Sequence, residues 1–457
     1  MSVRHAGTLG SDPYHRLLAA RRLRWGGLEN EHSGAHNSVS GRTSRRTCPL
    51  PDNLAQAESS PCFSRHRNGC RCSNPGFWRH AAKHTGWAAR ILLCSLFALS
   101  IAGCHSVSES DRSFGSSGPM LRRLPHRLPW IAEDHIHDPS QLVIVDGQPT
   151  LYASGTRGNG LNRHTLNPET GRFERAEPAF GQEKPSWVSG VQVWNATGEF
   201  DAPDLASPTR IYFTVFDEIP GRIQDSIGTA VLVETRQGTA WIDEGIVLQS
   251  VGEENHPRAM DASVFTDFEG RSWMVFGSHA GGIYIVELDP TTGRLRQSAD
   301  HFWTSPGRMV EPGRFTHLAS HWETEGENSI EAAYIYPRNG WYYLFVNWDG
   351  CCNSVASTYN IRVGRSRNPT GPYLDRQGRP LAEGGGILFL GREDRFIGPG
   401  HAGILRWLEW GVRPRYLFTF HYYDGEDLGK AKLGGRELTW NSEGWPELGQ
   451  LLIGPED

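Results

Sequence analysis

The stretch Asp138-Pro-Ser-Gln-Leu-Val-Ile-Val-Asp-Gly-Gln-Pro-Thr-Leu-Tyr-Ala-Ser154 contains two short runs of β-branched, leucine and aromatic residues on either side of an Asp-Gly turn. That is the pattern of a β-hairpin. Two further stretches repeat it: Asp261-Ala-Ser-Val-Phe-Thr-Asp-Phe-Glu-Gly-Arg-Ser-Trp-Met-Val-Phe-Gly-Ser278 and Glu331-Ala-Ala-Tyr-Ile-Tyr-Pro-Arg-Asn-Gly-Trp-Tyr-Tyr-Leu-Phe-Val-Asn347. In each copy a carboxylate stands first and the turn glycine follows nine residues later, at Gly147, Gly270 and Gly340.

Outward from these copies the chain keeps the same character. Ile211-Tyr-Phe-Thr-Val-Phe216, Gly282-Ile-Tyr-Ile-Val-Glu-Leu288 and Tyr416-Leu-Phe-Thr-Phe-His-Tyr-Tyr423 are further strands, and amphipathic helical spacing is almost absent. Repeated all-β units of this size predict blades of a β-propeller. The inner strand of each blade lines a common channel, so equivalent positions converge there. Asp138, Asp261 and Glu331 are then expected to meet. Glycoside cleavage commonly takes two carboxyl groups, one protonated and one ionised, and a third nearby carboxylate raises the acid's pKa by like-charge repulsion. The alternative is that each carboxylate caps a turn, but three at one repeat position favour chemistry.

Charge and cysteine divide the chain near residue 90. Met1 to Arg90 holds 14 Lys/Arg against 5 Asp/Glu, leaving 32 against 46 in the remainder of the 457 residues. An acidic body excludes nucleic acid as its partner, since polyanion binding needs a basic face. Six of the eight cysteines fall at or before Cys104, so the body lacks a disulfide scaffold and a zinc signature. At the junction, Arg79, Lys83 and Arg90 precede the apolar run Ile91 to Ile101 and then Ala102-Gly103-Cys104. This is an export signal over residues 78–104, too short for the ~20 residues of a spanning helix. Its end resembles a bacterial lipobox with Cys104 as the lipidated residue; an ordinary cleaved signal is the alternative. Residues 1–77 read as a leader outside the native protein or as a disordered extension, 105–124 as a polar tether, and 125–457 as the folded body.

Taken in order, these segments resemble glycoside hydrolase family 43, specifically its five-bladed endo-1,5-α-L-arabinanase branch. His137-Asp138-Pro139-Ser140 matches the motif of the general base. Ala259-Met260-Asp261-Ala262 matches the segment whose Asp tunes the acid, and Ser329-Ile330-Glu331-Ala332 matches the segment of the general acid. Trp348-Asp349-Gly350-Cys351-Cys352 and Gly364-Arg365-Ser366 through Gly371-Pro372-Tyr373 also follow the arabinanase pattern. Gly398-Pro399-Gly400-His401 matches a motif whose His reaches toward a channel ion, usually calcium.

The resemblance implies an exported, inverting hydrolase of α-L-arabinofuranosyl linkages in plant arabinan. In it Asp138 deprotonates water, Glu331 protonates the leaving oxygen, and Asp261 keeps Glu331 protonated. His137, Ser278 and Trp348 are the expected substrate-binding residues and His401 the expected metal ligand, with a satisfied turn histidine as the alternative for His401. His421 reads as an interior strand residue. Cys351 and Cys352 read as buried thiols rather than a vicinal disulfide. The expected particle is a monomer at the cell surface, held by an outer-membrane lipid anchor, or else secreted or periplasmic.

Four departures change the cleft, one being that Glu331 is followed by Ala332-Ala333 in place of Ala-Pro. The arabinanase Phe-Trp pair after Gly277-Ser278 is His279-Ala280 here, the Trp of a Trp-Ala-Pro-Asp segment is Asp201, and Asp261 is followed by Ala262-Ser263 in place of Pro-Asn. They keep open an arabinofuranosidase, a β-xylosidase, or a glycan-binding propeller without efficient turnover.

Overall fold

The computed structural model describes residues 129–456, except 156–159, 181–184, 189–199, 220–221, 237, 252–256, 297–301, 304–314, 324–327 and 410–412. The expected leader 1–77, the signal 78–104 with Cys104, and the tether 105–124 lie outside the described residues.

The described residues form antiparallel meanders and no α-helix. The first meander is Val143–Val145, Gln148–Ala153, Leu161–Asn167 and Arg172–Ala179. The second is Phe200–Ser207, Arg210–Ile219, Arg222–Thr235 and Gly238–Val251. Ser263–Thr266, Ser272–Phe276, Ile283–Leu288 and Thr316–Ala319 make the third. Ile330–Arg338, Trp341–Trp348, Asn360–Ser366 and Ile387–Leu390 make the fourth. The last is Phe396–Glu409, Arg413–Asp424, Lys430–Trp440 and Pro446–Gly454. The expected hairpins lie in the first, third and fourth, each turning at its glycine: Gly147, Gly270 and Gly340 have φ of 80°, 82° and 72°, which only glycine adopts at little cost.

One nine-stranded sheet contains both the first and the last meander. They are joined by the two-residue strand Trp130–Ile131, which pairs in parallel with Ile453 and Gly454 on one side and with Arg172 on the other. Trp130 is fully buried in this seam.

Apolar side chains pack between meanders. Tyr152 and Leu161 of the first meet Phe200, Ile211 and Phe213 of the second. Tyr212 and Ile227 meet Met274 and Phe276 of the third. Val275 and Ile283 meet Ile335 and Leu344 of the fourth. Tyr343 and Phe345 meet Phe418 and Phe420 of the last, and Leu405 and Leu417 meet Leu142 and Leu151 of the first. The order therefore returns to its start. A flat-faced aromatic fills the space between two twisted sheets with few rotatable bonds, which accounts for the aromatic content.

Candidate active site

The start of every meander carries one non-glycine residue in the left-handed region: Asp138 (φ 46°), Ala202 (φ 40°), Asp261 (φ 53°), Ala332 (φ 51°) and His401 (φ 53°). Such a conformation costs on the order of 1–3 kcal/mol and persists only where the surroundings impose it. A hydrogen bond to a side-chain acceptor fixes each kink. The N–H of Asp138 donates to His421 Nδ1, that of Ala202 to Ser154 Oγ, and that of Asp261 to Thr214 Oγ1. Those of Ala332 and His401 donate to Asp261 Oδ2 and Asn347 Oδ1.

Two layers follow from these kinks. Asp138, Asp261 and His401 occupy the kink itself, with Ala202 and Ala332 between them. His137, Asp201, Met260, Glu331 and Gly400 stand one residue earlier. Glu331 is thus not equivalent to Asp138 and Asp261, as the nine-residue spacing to glycine suggests. The kink of the fourth meander is at Ala332, and the strand shifts register between Glu331 and Tyr334. Asp201, unremarked as a functional group in the sequence, is the counterpart of Glu331 in the second meander.

Asp138 is the most heavily engaged of these residues. His137 Nδ1 lies 2.7 Å from its Oδ2, and His401 Nδ1 lies 2.8 Å from its Oδ1. Ser154 Oγ donates to Oδ2 at 3.1 Å and also to Asp201 Oδ1. Burial raises the Asp138 pKa, but the two imidazoles outweigh it and hold the carboxyl well below its ordinary value. His401 responds reciprocally: burial lowers its pKa, yet Asp138 carries it up to about 9. His421 is fully buried, as expected for an interior strand residue. It is also a site residue, its ring stacked on His137 with centroids 4.4 Å apart and held neutral by burial and the neighbouring His137.

Glu331 accepts two hydrogen bonds and faces one imidazole. Tyr359 Oη donates to Oε1 at 2.9 Å, Ser278 Oγ donates to Oε2 at 2.8 Å, and His279 Nε2 lies 3.2 Å from Oε2. Burial pushes the Glu331 pKa up, but His279, Ser278 and Tyr359 bring it down to about 2. Asp261 moves the other way, well above its ordinary value, through burial and the nearby Glu331 charge. Burial and the Glu331 charge thus favour the neutral form of Asp261, while the groups around Glu331 favour its ionised form. Partly buried Arg258, locked to Asp225 by two hydrogen bonds of 2.7 and 2.8 Å, adds a positive charge facing Asp261 and Glu331.

The remaining expectations divide. Ser278 reaches the centre, but as a donor to Glu331. His137 has both ring nitrogens committed, to Asp138 and, at 2.7 Å, to Tyr423 Oη, so it positions the carboxylate. Trp348 is buried, with the His321 ring stacked on it at a centroid distance of 3.8 Å and the Arg362 guanidinium 4.5 Å from its centroid. The thiol reading of the cysteines is corrected. Cys351 and Cys352 form a vicinal disulfide beside His137, in a turn with Cys352 at φ 65° and its N–H anchored on Tyr423 Oη.

Two variants test this arrangement. A Cβ on Gly400 would overlap the Tyr359 ring, so Gly400→Ala displaces the phenol from Glu331. A hydrogen bond to a charged group is worth roughly 1.5–3 kcal/mol, so kcat is expected to fall about ten- to hundredfold; unchanged turnover would show that Tyr359 is dispensable.

The second variant concerns Asp204, buried under the kinks, whose pKa burial raises to about 7 against hydrogen bonds from Val264 and Gln141. A raised carboxyl favours folding at low pH, and that contribution is lost as pH rises from the unfolded value through about 7. Asp204→Asn removes this dependence. Its stability relative to wild type is expected to improve by about 3 kcal/mol between pH 5 and pH 8, read from denaturant midpoints. An unchanged difference would place the ionised carboxylate comfortably in the fold.

Comparison with known proteins agrees with this geometry. An extracellular exo-α-(1→5)-L-arabinofuranosidase of Cellvibrio japonicus is 30% identical over 317 residues, covering 68% of this chain and 86% of its own. An extracellular endo-α-(1→5)-L-arabinanase of Bacillus subtilis is 32% identical over 269 residues, covering 59% and 70%. Among solved structures, an endo-arabinanase from Bacillus licheniformis superposes with a TM-score of 0.57 at 28% identity, covering 70% of this chain and all of its own. Residues 138–446 match Glycosyl hydrolases family 43, and the chain, with its buried carboxylates at the meander starts, belongs to that family of glycoside hydrolases.

Proposed function

We propose that the protein is an exported arabinan hydrolase that cleaves α-1,5-linked L-arabinofuranosyl units with inversion, and that its meanders are the blades of one five-bladed propeller. The observation that carries the reading is the split between Asp138, held ionised by two imidazoles, and the Asp261–Glu331 pair, which retains a proton. Inversion requires that division: a carboxylate to take a proton from water and an acid to give one to the departing oxygen. Asp138 is the base, Glu331 the acid once loaded, and Asp261 the neighbour that keeps a proton in the pair. The five kinks and the cyclic packing support the blade count. Export and an arabinan substrate are supported by the extracellular arabinanase and arabinofuranosidase relatives.

The cavity beneath the kinks is lined by His401 with Ser140, Gln141 and Asp204, an oxygen-rich wall that suits a hydrated calcium ion. His401, whose Nδ1 faces Asp138, would supply Nε2 after giving up its proton, and waters the remaining ligands. When bound, the ion would supply positive charge to the carboxylate cluster. A single lipid anchor at Cys104 and a monomeric state complete the proposal.

The test is incubation of the full chain with linear arabinan, branched arabinan and arabinoxylan. NMR of the first-formed anomer and sizing of the products are the readouts. Internal oligosaccharides with inverted configuration support endo action, arabinose or a short uniform product supports exo action, and retained configuration or no cleavage of any arabinan overturns the proposal.

A further inference from the structure

His279 sits where the family resemblance expects an aromatic, in a turn just after the second strand of the third meander, with φ 50°. Its N–H donates to the Ile330 carbonyl at 2.7 Å and its carbonyl accepts from Gly282, so the turn is tied to the residue preceding Glu331. The side chain is 43% exposed, while that of Glu331 is 12% exposed. The imidazole therefore spans the distance between solvent and a nearly buried carboxylate.

The three partners of Glu331 pose a chemical problem. Ser278, Tyr359 and His279 stabilise a carboxylate, yet an inverting hydrolase must present a carboxylic acid to the departing oxygen. Hydroxyls do not release protons at neutral pH. Of the three partners, only an imidazole both donates and accepts a proton in that range.

We propose that His279 loads Glu331: on glycan binding, the proton on His279 Nε2 passes to Glu331 Oε2. This rests on the reading of Glu331 as the acid. The step exchanges an imidazolium–carboxylate pair for a neutral imidazole and a carboxylic acid. Displacing cleft water favours the exchange, because desolvation disfavours two charges more than none. Glu331 then gives that proton to the glycosidic oxygen as the bond to the anomeric carbon breaks, and returns to a carboxylate. His279 regains a proton from solvent at its exposed side, while Asp138 releases to solvent the proton it took from water.

The other groups in reach of the pair are Asp261, Arg258 and His401, the neutral phenols of Tyr359 and Tyr423, and His317, which lies across the turn at Gly282. Asp261, Tyr359 and Tyr423 are buried, Arg258 is bound to Asp225, His401 faces Asp138, and His317 Nε2 is engaged by the Ala319 carbonyl and Ser320 Oγ. Among these described residues His279 offers the direct path to solvent. As a group that acts through Glu331, it is a positioning residue for the reaction.

The test compares the full chain with its His279→Gln and His279→Asn variants. Asn suits the left-handed backbone should Gln disturb the turn. The pH profile of kcat is measured on linear arabinan and on an aryl arabinofuranoside with a very good leaving group. Loading by His279 predicts that on arabinan the basic limb moves at least one pH unit toward acid and activity at pH 7 falls about tenfold. It also predicts little change on the aryl substrate and partial rescue of His279→Gly by added imidazole. A higher KM with the limb unmoved, or equal losses on both substrates without imidazole rescue, overturns the proposal. Glu331→Gln is measured alongside: if it cleaves arabinan normally, Glu331 is not the acid and both readings fall, whereas if it is inactive while the His279 limb stays in place, only the loading step falls.

Discussion

Asp138→Asn is expected to lower kcat on linear arabinan about a thousandfold at every pH while leaving the fold intact. Removing a general base commonly costs between a hundred- and ten-thousandfold. Asn retains the size of the side chain and can still accept from Ser154. What it loses is the charge that two imidazoles surround. The same variant has a second readout: His401, carried up to about 9 by Asp138, is expected to titrate markedly lower, observable by NMR of its ring protons. A large loss of activity with His401 unmoved would mean that the geometry, rather than the charge, had been damaged. Activity within tenfold of wild type would remove Asp138 as the base.

Glu331→Ala is expected to produce a loss that depends on the leaving group. On natural arabinan, whose departing alkoxide needs a proton, kcat should fall by a factor of about a thousand. On an aryl arabinofuranoside whose leaving group departs unassisted, the fall should be within tenfold. The variant also takes the neighbouring negative charge away from Asp261, so the Asp261 pKa should drop from its raised position. Equal losses on both substrates would count against Glu331 as the acid and favour a role in holding the substrate.

Much of this arrangement is legible in the chain itself. The hairpins are visible because Asp-Gly, Glu-Gly and Asn-Gly turns separate short apolar and aromatic runs, and the carboxylates because they recur at a fixed distance from those glycines. The kinks are not visible. At Ala202 and Ala332 the left-handed backbone is imposed by Ser154 and Asp261 from neighbouring meanders, and alanine carries no local signature of it. Glu331 consequently looked equivalent to Asp138 when it stands one residue earlier. Nothing near Trp348 in the chain announces that His321 and Arg362 pack against its ring. His279 and Asp201 were visible only as lost aromatics; their proximity to Glu331 and, through Ser154, to Asp138 is a property of the assembled meanders.

The seam at Trp130–Ile131 bears on the order in which the protein is made. Trp130 pairs with Ile453, so the first described strand has no partner on that side until residue 453 has left the ribosome. Every other meander can form from contiguous chain as it emerges, but the circle stays open throughout synthesis. Until the seam pairs, the meanders are a string of hairpins held by contacts between neighbours, so closing the circle is the step that joins the two most distant parts of the described chain.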